Sequence, residues 1–327
     1  MTNQTRSFAK YASLSVIGMI GLSCYILADT FFVAQGLGTN GLAALNLAIP
    51  IYSAITGTGM MTGMGAATCY SIMRSRGDEK ADKVFTNALF IAAFFTLIFE
   101  ICGIFFSGSI SRLLGAEGDT YEMCRVYLRT LLIFSPFFLL NNISICFLRN
   151  DNAPHRSMAG MLAGSFSNIV LDYIFIFPFK MGMFGAVLAT CFAPIISLVV
   201  MSGFYLKKRN TFHLTKTAPD MKLISRIAAT GVPALVTELS SGIVINCVQY
   251  DNNVAGWKCG RGSLWHRSKY IYRGSVHIQR HCSGNAAAGK QIIGRGRQRS
   301  FTQLSQAGAY LGRCGVGYGL YLHFLFC

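Results

Sequence analysis

Long apolar runs, separated by short polar loops, organise this chain from its start to about residue 247. Six of them have membrane-spanning length: Tyr11 to Val33, Leu42 to Met73, Val84 to Ile110, Tyr127 to Leu148, Met158 to Phe179 and Met181 to Leu206. A seventh opens near Leu223 and is still apolar at Val248. A bilayer core roughly 30 Å thick takes about 20 apolar residues per helix, so each run predicts a transmembrane helix. The loops alternate in basic charge. Arg6 and Lys10 precede the first run, and Arg74, Arg76, Lys80 and Lys83 follow the second. Arg149 and Arg156 follow the fourth, and Lys207, Lys208, Arg209 and Lys216 the sixth. The intervening loops are poorer or of mixed sign, so the positive-inside rule puts the N-terminus and the even-numbered loops in the cytoplasm.

Composition agrees with this pattern. Of 327 residues, 52% are hydrophobic and 13% charged, whereas a soluble domain carries about 25% charge. Eleven Cys are scattered singly, several of them (Cys24, Cys69, Cys102, Cys146, Cys191) inside apolar runs. They read as small hydrophobes rather than disulfides or metal ligands. The first run is too long for a signal peptide and contains Asp29, so it reads as a retained span. Gly57, Gly59, Gly63 and Gly65 crowd the second run, which fits close helix packing through small faces or, alternatively, a bendable pathway-lining helix.

Ionisable residues inside lipid are costly and mark function by default. Asp29 lies near the outer end of the first span, and Asp172 lies inside the fifth. Asn168 precedes Asp172 by one helical turn and shares its face, and Thr190 lies in the sixth span. Together these four form a candidate cation or proton site. Burial disfavours a charged carboxyl, so a weakly hydrated pair would retain a proton. Alternatively, carboxylate, amide and hydroxyl oxygens would coordinate a small hard cation. Glu100 in the third span and Glu238 in the seventh are lesser candidates. The stretch Arg149-Asn150-Asp151-Asn152-Ala153-Pro154 reads as a turn leading into a helix.

Five stretches carry a family resemblance: DTFFVAQGLG from Asp29, FLRNDNAP from Phe147, SNIVLDYIF from Ser167, GAVLAT from Gly185 and GVPALVTELSSGIVIN from Gly231. In this order and spacing they resemble the multidrug and toxic compound extrusion (MATE) family across residues 1–247. The resemblance implies twelve helices in two six-helix lobes and cation-coupled antiport of drug-like or metabolite organic cations. Within it, Asp29, Asn168, Asp172 and Thr190 match the acidic and polar positions of the N-lobe cation or proton site. The family's usual Pro after the fifth-span Asp is here Tyr173.

The fold class expected is therefore all-α: a polytopic six-helix lobe over 1–206, an inter-lobe loop over 207–222, the start of a seventh helix over 223–247, and an irregular or disordered tail over 248–327. The tail departs in composition. It holds 11 of the 29 Lys and Arg but only one of the 13 acidic residues, Asp251, together with both Trp and none of the seven Pro. Gly294-Arg295-Gly296-Arg297-Gln298-Arg299 is a basic, Gly-rich patch, while Cys259, His266, His277, His281 and Cys282 have no metal-ligand spacing. Such a segment does not build a membrane lobe. Read one nucleotide late, the single Trp codon becomes a Gly codon, and residues 257–271 can decode as GNVAVAAYGIAANIS. That string resembles the family's helix seven to eight region. A frameshift near codon 247 is the expectation, with a polypeptide that does not itself transport.

The sequence-level expectation is thus an antiporter, not an enzyme. It has no cofactor beyond a coupling ion, H+ or Na+, and no metal beyond Na+ at the same cluster. Its expected partners are the bilayer and small organic cations, with no nucleic acid. The chain is expected to be a monomer, multi-pass in a bacterial cytoplasmic membrane. Two alternatives stay open. A lipid-linked oligosaccharide flippase would be expected to show basic cavity residues in place of Asp29 and Asp172, and a membrane-anchored basic-tail module would bind nucleic acid in a salt-sensitive way.

Overall fold

The computed structural model describes residues 3–78, 80–151, 153–206, 212, 213, 215 and 217–254, with side chains from 25 to 242 apart from 204–206. The described secondary structure is helical: α1 (Asn3–Ser75), α2 (Ala81–Phe105), α3 (Ser107–Leu113), α4 (Gly118–Ile133), α5 (Ser135–Asn150), α6 (Pro154–Ile176), α7 (Gly182–Leu206) and α8 (Met221–Val254). Residues Met1–Asp251 form one compact unit. The predicted tail, with its basic patch and its Cys and His residues, lies outside the described residues beyond Val254.

At 73 residues, α1 is far too long for one span, and its helical geometry is interrupted at Gly38, with φ 69° and ψ −160°. That backbone region is essentially restricted to glycine. Two arms meet there, and they correspond to the first two apolar runs. The hydroxyls of Tyr25 and Tyr52 are 3.1 Å apart across this break. In a straight helix, 27 residues would separate them by roughly 40 Å, so α1 folds back on itself at Gly38.

Two predicted spans are subdivided. The third was expected to continue to Ile110, but α2 ends at Phe105 and Phe106 leaves helical geometry at φ −116° before α3 begins. The fourth was expected as one helix, but α4 and α5 meet at a 52° bend. Pro136 stands in the first turn of α5, where it has no N–H to continue the ladder from α4. Among the described residues, four helices are long and apolar enough to cross a bilayer: α1 from Tyr25 onward, α2, α6 and α7. The bent pair α4–α5 makes a fifth if it is one span. The lipid-facing character is plainest on α2, where Phe94, Leu97 and Phe105 are 62%, 57% and 74% exposed.

The glycines of the second arm of α1 are packing residues on two faces. A Cβ on Gly59 or Gly63 would meet Asn142 or Cys146 of α5 at 3.0 Å, while one on Gly65 would stand 2.2 Å from the Ile227 carbonyl oxygen of α8. A Cβ on Gly231 of α8 would likewise overlap the Met61 carbonyl oxygen. Backbones approach this nearly only where side chains are missing. Gly164 does the same for α6 against α7, 2.7 Å from the Ala193 carbonyl oxygen. Cys69, Cys124, Cys146 and Cys191 are buried free thiols, in keeping with their reading as small hydrophobes.

Described residues between α7 and α8 pack against the bundle. Phe212 is buried among Phe85, Phe147 and Tyr70, with ring centroids at 4.8, 4.9 and 6.3 Å. The Thr215 N–H donates to Thr86 Oγ1 at 3.1 Å, and the Asp220 N–H donates to Asn87 Oδ1 at 2.9 Å.

Candidate ion-binding site

Three helices supply the four polar residues singled out in the sequence: Asp29 from the first arm of α1, Asn168 and Asp172 from α6, and Thr190 from α7. All four are buried, Asn168 and Asp172 completely. α6 packs against both α1 and α7, which is what brings the set together. The i,i+4 spacing of Asn168 and Asp172 places both on the same inward face of α6.

Asn168 is the link. In the amide orientation that satisfies both ends, its Nδ2 donates to Asp172 Oδ2 at 3.1 Å. Its Oδ1 then accepts from the backbone N–H of Thr190 at 3.2 Å, tying α6 to α7. The Thr190 hydroxyl donates to the Ala186 carbonyl at 3.2 Å within its own helix. Asp29 lies within electrostatic reach of Asp172. Each of the two carboxylates keeps one buried oxygen, Oδ1, with no hydrogen-bond partner among the described residues. Buried polar atoms are almost always satisfied, so the two orphaned carboxylate oxygens are the unusual feature of this candidate site.

The cluster has a tyrosine wall that sequence reasoning missed. The hydroxyls of Tyr25, Tyr52 and Tyr127 lie within electrostatic reach of Asp29, and Tyr127 also lies beside the Thr190 side chain. Tyr25 had a readable signal, since it precedes Asp29 by four residues and shares its face. Tyr52 and Tyr127 had none, because they come from elements far away in the sequence.

The lesser candidates divide. Glu238 is half-buried on α8, its Cβ 3.1 Å from where a Cβ on Gly57 would stand, and it acts electrostatically on Tyr52. It thus stands at the margin of the site. Glu100 is half-buried on α2, and no described contact joins it to the cluster. The FLRNDNAP stretch does what its turn chemistry predicted: α5 ends at Asn150 and α6 begins at Pro154. Asn150 also donates to the Ala67 carbonyl at 3.1 Å, pinning that turn to α1.

A multi-pass helical bundle with a buried acid cluster between its helices is the pattern of a membrane protein whose function lies within the membrane. Comparison with known proteins gives the family. Residues 15–174 match the MatE family. The multidrug export protein MepA of Staphylococcus saprophyticus is 28% identical over 231 residues, which is 70% of this chain and 51% of that protein. MepA of Staphylococcus aureus is 27% identical over 237 residues, 71% of this chain and 52% of that one. Among solved structures, a MOP superfamily transporter from Pyrococcus furiosus aligns with a TM-score of 0.66 at 29% identity, covering 72% of this chain and 53% of its own. The inward-facing conformation of a multidrug resistance MATE family transporter aligns with a TM-score of 0.64 at 28% identity, covering 72% and 55%. The chain is a homologue of MATE-family multidrug efflux transporters and matches their N-terminal portion. It spans about half the length of the curated relatives it matches.

Proposed function

We propose that this lobe carries the ion-coupling half of an antiporter that exports drug-like or metabolite organic cations by alternating access. The observation that supports it best is the pair Asp29 and Asp172, buried on different helices, each with an unpartnered oxygen. A proton or Na+ between them relieves their mutual repulsion and joins α1 to α6. Its departure separates them, so loading and conformation are linked. Solved relatives exist in both inward-facing and outward-facing conformations, which supports alternating access for this family. The tyrosine hydroxyls offer further oxygen ligands, and their rings attract an organic cation by cation–π interaction. A flippase of anionic lipid-linked sugars would require basic side chains where these carboxylates stand.

The N-terminus and the loops after α1, α5 and α7 face the cytoplasm, as the basic loop pattern supports. Exchange requires two lobes moving against one another, and this lobe supplies one of them. Replacing the counterpart of Asp172 by Asn in a full-length relative tests the coupling role. The expected result is loss of ion-driven export with substrate binding retained, and undiminished coupled export overturns it.

A further inference from the structure

At the end of the bundle where α1 finishes and α2 and α8 begin, a cavity of about 250 Å³ is lined by Lys80, Lys83, Lys222 and Arg226, with Met73, Leu223 and Asp220 completing its wall. Two cations come from the start of α2 and two from the start of α8. Lys80 and Lys83 are three residues apart and Lys222 and Arg226 four, so each pair shares a helix face, where like charges repel. Cations near a helix N-terminus are also opposed by the helix dipole. Both penalties fall on one cavity.

The described acids nearby do not relieve them. The Asp220 carboxylate accepts from the backbone N–H groups of Lys222 and Leu223, at 3.0 and 3.4 Å, capping α8. Asp78 accepts from the Lys80 backbone N–H at 2.9 Å, and Asp82 faces His213 at 3.9 Å. Among the described residues, no carboxylate forms an ion pair with any of the four cations. Four cations that converge on one space favour an anion there. The remaining wall, Met73 at the end of α1 and Leu223 at the start of α8, is apolar. A ligand that is anionic at one end and hydrocarbon at the other fits both parts.

We infer that this cavity binds the phosphate headgroup of an anionic phospholipid, whose acyl chains run past Met73 and Leu223 into the bilayer. Because the pocket bridges the end of α1 and the start of α8, the lipid joins the six-helix lobe to the helix that follows it. The site is separate from the acid cluster and does not depend on the ion-coupling proposal.

The test is spin-label lipid binding to the full chain in phosphatidylcholine vesicles doped with either spin-labelled phosphatidylglycerol or spin-labelled phosphatidylcholine. The wild-type chain is expected to restrict phosphatidylglycerol selectively. Arg226→Gln, at an exposed position with little cost to folding, is expected to lower that preference roughly five-fold, and Lys83→Gln/Lys222→Gln/Arg226→Gln to abolish it. Arg112→Gln/Arg125→Gln, in α3 and α4 outside the pocket, is expected to leave it unchanged. Circular dichroism matched to wild type keeps the single variant interpretable. No preference in the wild type, an undiminished preference in Arg226→Gln, or an equal loss in the Arg112/Arg125 variant overturns the site. Binding of soluble glycerol 3-phosphate with no selective restriction of phosphatidylglycerol assigns the pocket to a free phosphate and overturns the lipid.

Discussion

The hydroxyls of Tyr25 and Tyr52 meet at 3.1 Å although both belong to the single helical stretch α1. Gly38 stands almost midway between them, and its left-handed backbone makes the reversal possible. Both tyrosines lie within electrostatic reach of Asp29, so the reversal brings their hydroxyls near the acid cluster.

Gly38→Ala is expected to destabilise the lobe by about 1–3 kcal/mol, because an L side chain is strained at that φ and ψ. A Cβ there would meet nothing within 4 Å, so the whole effect is backbone strain, and thermal unfolding in detergent measures it. An unchanged midpoint would mean that the reversal is not made at Gly38.

Asp172→Asn is expected to leave thermal stability unchanged or raised by up to about 2 kcal/mol, since a neutral amide is cheaper to bury than a carboxylate. The new amide oxygen can still accept from Asn168 Nδ2. Stability retained alongside lost coupling in the full-length relative separates an ion-binding role from a structural one.

Gly231→Ala is expected to push α8 away from α1, because its Cβ would stand 1.9 Å from the Met61 carbonyl oxygen. Overpacking of this kind costs about 1–3 kcal/mol. Gly203→Ala, with nothing within 4 Å of the added methyl, is the control and is expected to be neutral or slightly stabilising. Thermal unfolding of the two variants side by side gives the comparison.

Phe212→Ala removes the ring held by Tyr70, Phe85 and Phe147. Truncating a buried Phe costs about 3–5 kcal/mol, here concentrated on the inter-lobe segment. Limited trypsinolysis is expected to cut faster at Lys207, Lys208, Arg209 or Lys216 while the helices persist by circular dichroism.

The coding DNA around codon 247 is expected to remain open in the frame one nucleotide later and to encode an apolar segment there. Stop codons or a polar product in that frame would restore the basic tail as a genuine segment. Sequencing that stretch decides between them.

How much of this was legible in the sequence differs from residue to residue. Apolar run length located the two arms of α1 and the helices α2, α6 and α7, because lipid forces every span to satisfy its own backbone, whereas α8, opened by the seventh run, is not among the described helices long and apolar enough to cross a bilayer. The bend at Pro136 and the helix start at Pro154 follow from a missing N–H, though the first lay unnoticed inside an apolar run. Asp29, Asn168, Asp172 and Thr190 stood out because polar side chains inside such runs are costly. Their assembly around one buried point was not legible, nor were the partners Tyr52 and Tyr127, since those proximities depend on how α1, α4, α6 and α7 pack.

By itself the sequence determined which segments enter the membrane and which residues are too polar to be there without a reason. Both follow from local chemistry and the solvation of single residues. Only the tertiary structure decided that α1 reverses at Gly38, that Asn168 joins Asp172 to α7, and that four cations from α2 and α8 line one cavity. These relations join positions distant along the chain, and the close packing of helices through small residues is what brings them within reach.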